Sequence, residues 1–214
     1  MTIRLEKMIP LPLLEQQRNG SGIWEADAVL FEKGKSYLIE APSGKGKTSL
    51  LSIIYGIRKD YRGAVFLNDR NILELTGKAW SEIRKAKLSF IFQGLELFDE
   101  LTAYDNIHLK NSITREKSST EIRTMAERIG IAEFLSKPAG ILSFGQQQRV
   151  AIIRALCQPF EFLLADECFS HMDAGNSHIA LDLIREECNK RGAGIILTSL
   201  NAMKEAAMEE RMEL

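Results

Sequence analysis

Ile39-Glu40-Ala41-Pro42-Ser43-Gly44-Lys45-Gly46-Lys47-Thr48-Ser49 decides how this chain reads, because an apolar run ends there in a glycine-rich turn and a helical pattern begins. Residues 36–40 predict a strand, and Leu50, Leu51, Ile53 and Ile54 open a buried helical face. The turn between them falls at a helix N-terminus, where unpaired N–H groups and the helix dipole favour an anion. Ser43, Gly44, Lys45, Gly46, Lys47, Thr48 and Ser49 are therefore the candidate contacts to a nucleotide's phosphates. Gly44 and Gly46 let successive N–H groups converge, Lys47 can reach β and γ oxygens, and the Thr48 hydroxyl suits Mg²⁺. Ala41 stands where the motif asks for glycine, which requires that its φ stay negative. A plain Gly/Ser turn between strand and helix is the competing reading at this point.

Outward from the loop, Ile3 and Leu5 alternate with Arg4 and Glu6 as in a strand with one buried face, until Pro10 and Pro12 interrupt it. Asn19-Gly20-Ser21-Gly22 signals a turn, residues 23–31 a further apolar strand, and Lys33-Gly34 the turn into the strand before the loop. The opening region thus reads as antiparallel sheet, with Trp24 packed in its core at an alternating strand position. Downstream, residues 63–67 predict a strand closed by Asn68-Asp69, residues 80–86 a short helix, and residues 88–92 a strand. Gln93 then stands at a strand's carboxyl end, where ligands collect in open α/β sheets. There it could help place Mg²⁺ or an attacking water, or be an ordinary polar loop residue.

Residues 95–142 read as mostly helical. Thr102 with Asp105, and Ser118 with Glu121, have capping-box spacing. Ile122, Met125, Ala126 and Ile129 share one helical face, and Gly130 is a natural stop. We expect a helical lobe over residues 95–156, inserted into a single α/β domain spanning residues 1–214.

Totals narrow the classes. The chain's 214 residues, enough for one large domain, carry 28 Lys and Arg against 29 Asp and Glu, so no net positive field recruits nucleic acid or anionic lipid. Cys157, Cys168 and Cys188 show no C-x-x-C pairing, as expected of reduced thiols that serve as packing in a cytosolic compartment. No apolar run approaches the length of a membrane span, so a chain neither secreted nor membrane-spanning by itself is expected.

The second cluster of chemistry begins at Leu142-Ser143-Phe144-Gly145-Gln146-Gln147-Gln148-Arg149, the start of a helix with Val150, Ile153 and Leu156 on its apolar positions and an end before Pro159. Ser143 and Gln146 again form a capping box. Residues 160–165 then predict a mainly apolar strand that ends in Asp166-Glu167, two carboxylates costly to bury without a cation or donors. Beside a Mg²⁺ nucleotide, Asp166 can hold the metal and Glu167 can orient and deprotonate a hydrolytic water.

This ordered set resembles the ATP-binding cassette (ABC) ATPases across nearly the whole chain. The phosphate loop, Gln93, a signature close to LSGGQ at residues 142–146, the Asp166-Glu167 strand and Ser170-His171-Met172-Asp173 stand in that family's order. Phe92-Gln93, Leu101-Thr102 and Asp105-Asn106-Ile107 are most similar to the subgroup serving lipoprotein release and macrolide export. The resemblance implies an α/β P-loop NTPase core with an N-terminal antiparallel β subdomain and an inserted helical signature lobe. It implies an Mg-dependent ATPase with ATP and Mg²⁺ as its cofactors, the metal held by Thr48, Gln93 and Asp166. It also implies a head-to-tail dimer, homo- or heteromeric, in which Ser143, Phe144, Gly145 and Gln146 face the nucleotide of the partner and Asp173 links the two sites. Residues 95–104 would dock separate integral membrane permease subunits, placing the chain in the cytoplasm on the inner face of a membrane. A soluble cassette acting on nucleic acid is disfavoured by charge and by the lack of a basic arm.

Several positions depart from the family. Ser199 follows Gly194-Ile195-Ile196-Leu197-Thr198 where the family carries a catalytic His, leaving one hydroxyl at that catalytic position. A positioned proton-transfer group is worth roughly 10²–10⁴-fold in rate, so a hydrolysis-impaired ATP-gated clamp, or a degenerate cassette paired with an active partner, is the rival expectation. Phe144 replaces a glycine of the signature, and Cys168 replaces the proline usual after the catalytic Glu. No aromatic precedes Ile23 to stack on adenine within residues 11–22, and Trp24, read above as core, is the nearest candidate. The tail from residue 203 is expected to end soon after the last strand, without room for a regulatory domain.

Overall fold

The computed structural model describes residues 1–14, 22–199 and 208–214. Its strands form two sheets. The first is antiparallel and joins β1 (Thr2–Pro10), β2 (Ala28–Glu32), β4 (Tyr61–Leu67) and β5 (Arg70–Asn71) in the order β2-β1-β4-β5. The second is parallel and joins β3 (Ser36–Glu40), β6 (Leu88–Ile91), β7 (Phe162–Asp166), β8 (Gly194–Ser199) and β9 (Glu210–Glu213) in the order β6-β7-β8-β3-β9. Seven α-helices lie among the described residues: α1 (Gly22–Glu25), α2 (Lys47–Ile54), α3 (Gly77–Ala86), α4 (Ala103–Thr114), α5 (Ser119–Arg128), α6 (Phe144–Leu156) and α7 (Ala174–Arg191).

The near-continuous apolar runs of β3, β7 and β8 are explained by burial on both faces, as parallel sheets require. Alternate residues feed two different cores. Leu38, Leu163, Ala165, Ile195 and Leu197 pack with α4 to α7, whereas Tyr37, Ile39, Phe162, Leu164 and Ile196 pack with α2 and the antiparallel sheet. Each fully buried large side chain contributes roughly 1.5–3 kcal/mol, so the parallel sheet is the wall on which both cores rest. Its carboxyl edge gathers residues 41, 92, 167 and 199.

In β1, a register shift between Glu6 and Ile9 turns both Met8 and Ile9 inward, with Lys7 at φ 44°. Gly63 of β4 meets this bulge at φ 86°, where a Cβ would lie 2.3 Å from the Lys7 carbonyl oxygen, so only glycine fits. Between β6 and β7 the chain is helical. Ser118 with Glu121 and Ser143 with Gln146 complete reciprocal capping boxes at α5 and α6. At α4, Thr102 accepts from the Asp105 N–H and its hydroxyl donates to the Asp105 carboxylate, a side-chain variant of the expected box. A buried carboxylate, Glu187 of α7, gathers Lys117, Lys190 and Arg191 at 2.9, 2.7 and 2.6 Å and so fastens the α4–α5 connection to the core.

Two expectations are corrected. Ile23 and Trp24 lie in α1, and the strand starts only at Ala28. A short helix buries these two consecutive side chains together, which a one-sided strand cannot do, and it lets the Trp24 indole N–H donate to the Lys45 carbonyl at 3.1 Å. The strand Gly194–Ser199 is also not the last: β9 follows and pairs in parallel with β3. Its sequence, Glu210-Arg211-Met212-Glu213, is that of a charged sheet edge, which carries little strand signal. The turn at residues 19–21 lies outside the described residues, and Gly22 begins α1. Cys157, Cys168 and Cys188 are free and buried. No helix among the described residues is long and apolar enough to cross a membrane.

Candidate functional site

The phosphate loop leaves β3 and enters α2 as its residues dictate. Gly44 at φ 78° and Gly46 at φ 98° take the left-handed conformations that converge N–H groups, and Gly46 caps α2. Ala41 is not among the residues with positive φ, so the departure from glycine is accommodated. A Cβ on Gly46 would lie 2.6 Å from Leu13 Cδ1 and 3.1 Å from the Trp24 ring, so both side chains pack directly on the loop and would have to shift for any larger residue. Trp24 thus packs against the loop, and Ser49 Oγ accepts from the Arg58 guanidinium at 2.6 Å.

Lys47 is buried at 4% exposure. Its ammonium donates to the carbonyls of Ala41 and Pro42 and stands 3.2 Å from Glu167 Oε1. Gln93 Nε2 donates to Glu167 Oε2 at 3.2 Å, and Thr48 Oγ1 donates to Gln93 Oε1 at 3.4 Å. Thr48, Gln93, Glu167 and Lys47 therefore form one connected row from three separated stretches of sequence. Glu167 sits at φ 47°, a left-handed conformation that costs a non-glycine residue about 1–3 kcal/mol, and its N–H is anchored on the Thr198 hydroxyl at 3.2 Å. That bend turns the carboxylate out of the buried strand and into the cavity.

Asp166, next to it, is 1% exposed. Its Oδ1 accepts from Thr198 Oγ1 at 2.6 Å, while Oδ2 is buried without a hydrogen-bond partner. An orphaned buried carboxylate oxygen is costly, and a cation on the Thr48 and Gln93 side would satisfy it. No group of three or more His, Cys, Asp or Glu side chains suited to a metal occurs among the described residues. A cation here would draw on hydroxyl, amide and single-carboxylate oxygens together with a ligand's phosphates, the donor set Mg²⁺ prefers. Cys168 is fully buried and its thiol is pushed well above the usual range by that burial, so it is inert packing.

The cavity is lined by Ser43, Gly44, Gly46, Lys47, Thr48, Ser49, Gln93 and Glu167, and also by Pro12 and Leu13. The last two were not expected. They belong to a short 3-10 turn, and Pro10 before it and Pro12 within it give only the signal of a broken strand. Lys45 does not line the cavity, its carbonyl being taken by Trp24. Ser199 ends β8 in register with Glu40, and its carbonyl accepts from the Ala41 N–H at 3.5 Å.

The second cluster is not brought to this cavity within one chain. None of Ser143, Phe144, Gly145, Gln146 or Asp173 lines it. They form a face of their own around the start of α6. Ser143 N–H donates to Gln146 Oε1 at 2.9 Å, and Phe144, 43% exposed, lays its ring 4.5 Å from the ring of His171. A Cβ on Gly145 would come within 2.8 Å of the His171 carbonyl oxygen, which explains glycine there. Asp173 caps α7, and the Asn176 N–H and amide hold its carboxyl below the usual range.

A profile of the family described as ABC transporter matches residues 28–170. The ABC transporter ATP-binding protein YtrE of Bacillus subtilis is 32% identical over 168 residues, covering 77% of this chain and 73% of that protein. A lipoprotein-releasing system ATP-binding protein, LolD, of a Shewanella species is 30% identical over 193 residues, covering 89% of this chain and 83% of that protein. Among solved structures, a bacterial ABC transporter cassette in dimeric form superposes with TM-score 0.80 at 25% identity, over 99% of this chain and 94% of that one. The post-hydrolysis dimer of that cassette, bound to ADP and Pi, gives TM-score 0.80 at 26% identity over the same shares.

Proposed function

The chain belongs to the ABC transporter family as one of its ATP-binding cassettes, and from that premise we propose that it binds and hydrolyses Mg-ATP in a head-to-tail dimer that powers a membrane transporter. The observation that carries this reading is the row Thr48, Gln93, Glu167 and Lys47 around one cavity. The loop N–H groups and the α2 terminus receive the phosphates, and Lys47 adds a positive charge beside them. Glu167, steadied by Gln93, orients the attacking water and takes its proton. Thr48, Gln93 and Asp166 would hold Mg²⁺, which when bound offsets charge on the phosphate oxygens. Ser143, Phe144, Gly145 and Gln146 of one chain face the nucleotide of the other, an arrangement supported by their absence from the cavity lining of this chain and by the dimeric form of the similar cassette. The second cassette is the same chain or a related one, with Asp173 at the junction. Residues 95–156 form the helical lobe of a single domain, and residues 95–104 meet separate permease subunits on the cytoplasmic face of a membrane.

Ser199 favours one second reading. At the end of β8 it offers a hydroxyl where the family places His, so the dimer could close on ATP as a clamp and turn it over slowly. Titration of a fluorescent ATP analogue tests the shared premise. The parent should saturate, and Lys47→Ala should bind at least about 10-fold more weakly, the loss of one buried charge-assisted contact. Equal affinity would refute the phosphate site.

A further inference from the structure

We infer that Gln148 is a positioning residue that ties the signature half-site to the turn carrying Glu167 within the same chain, an inference that rests on the function proposed above. Gln148 lies one turn into α6 and is 1% exposed. Its amide is spent on the segment that follows Glu167: Nε2 donates to Ser170 Oγ at 3.2 Å, and Oε1 accepts from the His171 N–H at 3.2 Å. The Ser170 N–H in turn donates to the Glu167 carbonyl at 3.2 Å. The path from α6 to the base is therefore two hydrogen bonds long.

Two further contacts stiffen the same junction. The Gly145 backbone lies close enough to the His171 carbonyl to exclude a side chain, and the Phe144 ring rests against His171. A buried amide has to be satisfied on both sides, and here it is satisfied by the one irregular segment that joins Glu167 to Asp173. A leucine would fill this volume equally well without fixing the segment's position. The start of α6 and residues 168–173 consequently move as one body, and a nucleotide of the partner that engages Ser143 and Gly145 shifts the turn holding this chain's own Glu167.

The test compares Gln148→Leu, which removes both bonds at similar volume, with Gln148→Glu, whose carboxyl can serve both partners. Steady-state phosphate release should show kcat lowered about 10–100-fold in Gln148→Leu, the range a misplaced catalytic group produces. KM for ATP should stay within about threefold, and Gln148→Glu should keep kcat within about threefold of the parent. Parental kcat in Gln148→Leu, an equal loss in both variants, or a change in KM alone would overturn the inference. If Gln148→Leu fails to fold, Ser170→Ala removes one of the bonds at an exposed position and should lower kcat about threefold or more with KM unmoved; parental kcat there overturns it. A parent without Glu167-dependent release contradicts hydrolysis instead, and amide exchange then reads the tie. ATP should raise protection of residues 168–173 in the parent and Gln148→Glu but not in Gln148→Leu. The same response in all three, or in none, overturns it.

Discussion

Glu187→Gln probes the junction between the helical segment and the core. The Glu187 carboxylate is buried in α7 with three cations around it, and only Lys190 among them is largely exposed. Burial by itself would raise its pKa; hydrogen bonds from Arg191, Lys190 and Lys117 outweigh that and lower it from 4.5 to about 2. A depressed carboxylate pKa contributes stability that is fully present above the unfolded value and lost as pH falls through the folded one. The depression corresponds to on the order of 3 kcal/mol, reduced to roughly 2–3 kcal/mol by solvent screening at Lys190. Lys117 and Arg191 each retain a second carboxylate, Glu121 and Glu116, which limits the further cost of leaving them in place. For a chain of this size the loss lowers Tm by roughly 5–10 °C. Urea unfolding followed by the fluorescence of buried Trp24 and Trp80 reads it directly. The gap between parent and Glu187→Gln should be about 2–3 kcal/mol near pH 7 and about half that near pH 3. A gap below about 0.5 kcal/mol near pH 7, or one that stays constant with pH, would refute the account of this cluster.

Two further outcomes follow from the site. Gly46→Ala should cost about 1–3 kcal/mol in unfolding free energy, from the left-handed φ and the approach to Leu13 and Trp24, and should weaken ATP binding in the fluorescence titration. Ser199→His should raise kcat less than about 10-fold in a phosphate-release assay, because Gln93 and Glu167 already stand at the cavity; a gain of about 10²-fold or more would favour the slow clamp.

The sequence was legible where one residue type has one physical use. Gly44, Gly46 and Lys47 between a strand and a helix are legible in this way, as are the capping boxes at Ser118 and Ser143 and the carboxylates Asp166 and Glu167 at the end of an apolar run. Gln93 was less legible, since a polar residue after a strand has many uses, and only its bonds to Thr48 and Glu167 single it out. Illegible features depended on partners distant in sequence. Trp24 entered a helix because two adjacent apolar side chains had to reach the same core, and β9 formed because β3 had an open edge. The left-handed bend at Glu167 also escaped, since nothing in a glutamate announces a positive φ. Pro12 and Leu13 became part of the cavity through a turn whose sequence said only that a strand had been interrupted.

Phosphate release from purified protein with Mg-ATP, measured across protein concentrations with Glu167→Gln as the blank, tests hydrolysis by an assembling cassette most directly. If each complete site takes two chains, as proposed, release should depend on Glu167 and rise faster than linearly with concentration. Release from the parent no greater than from Glu167→Gln at every concentration, with ATP demonstrably bound, would contradict it.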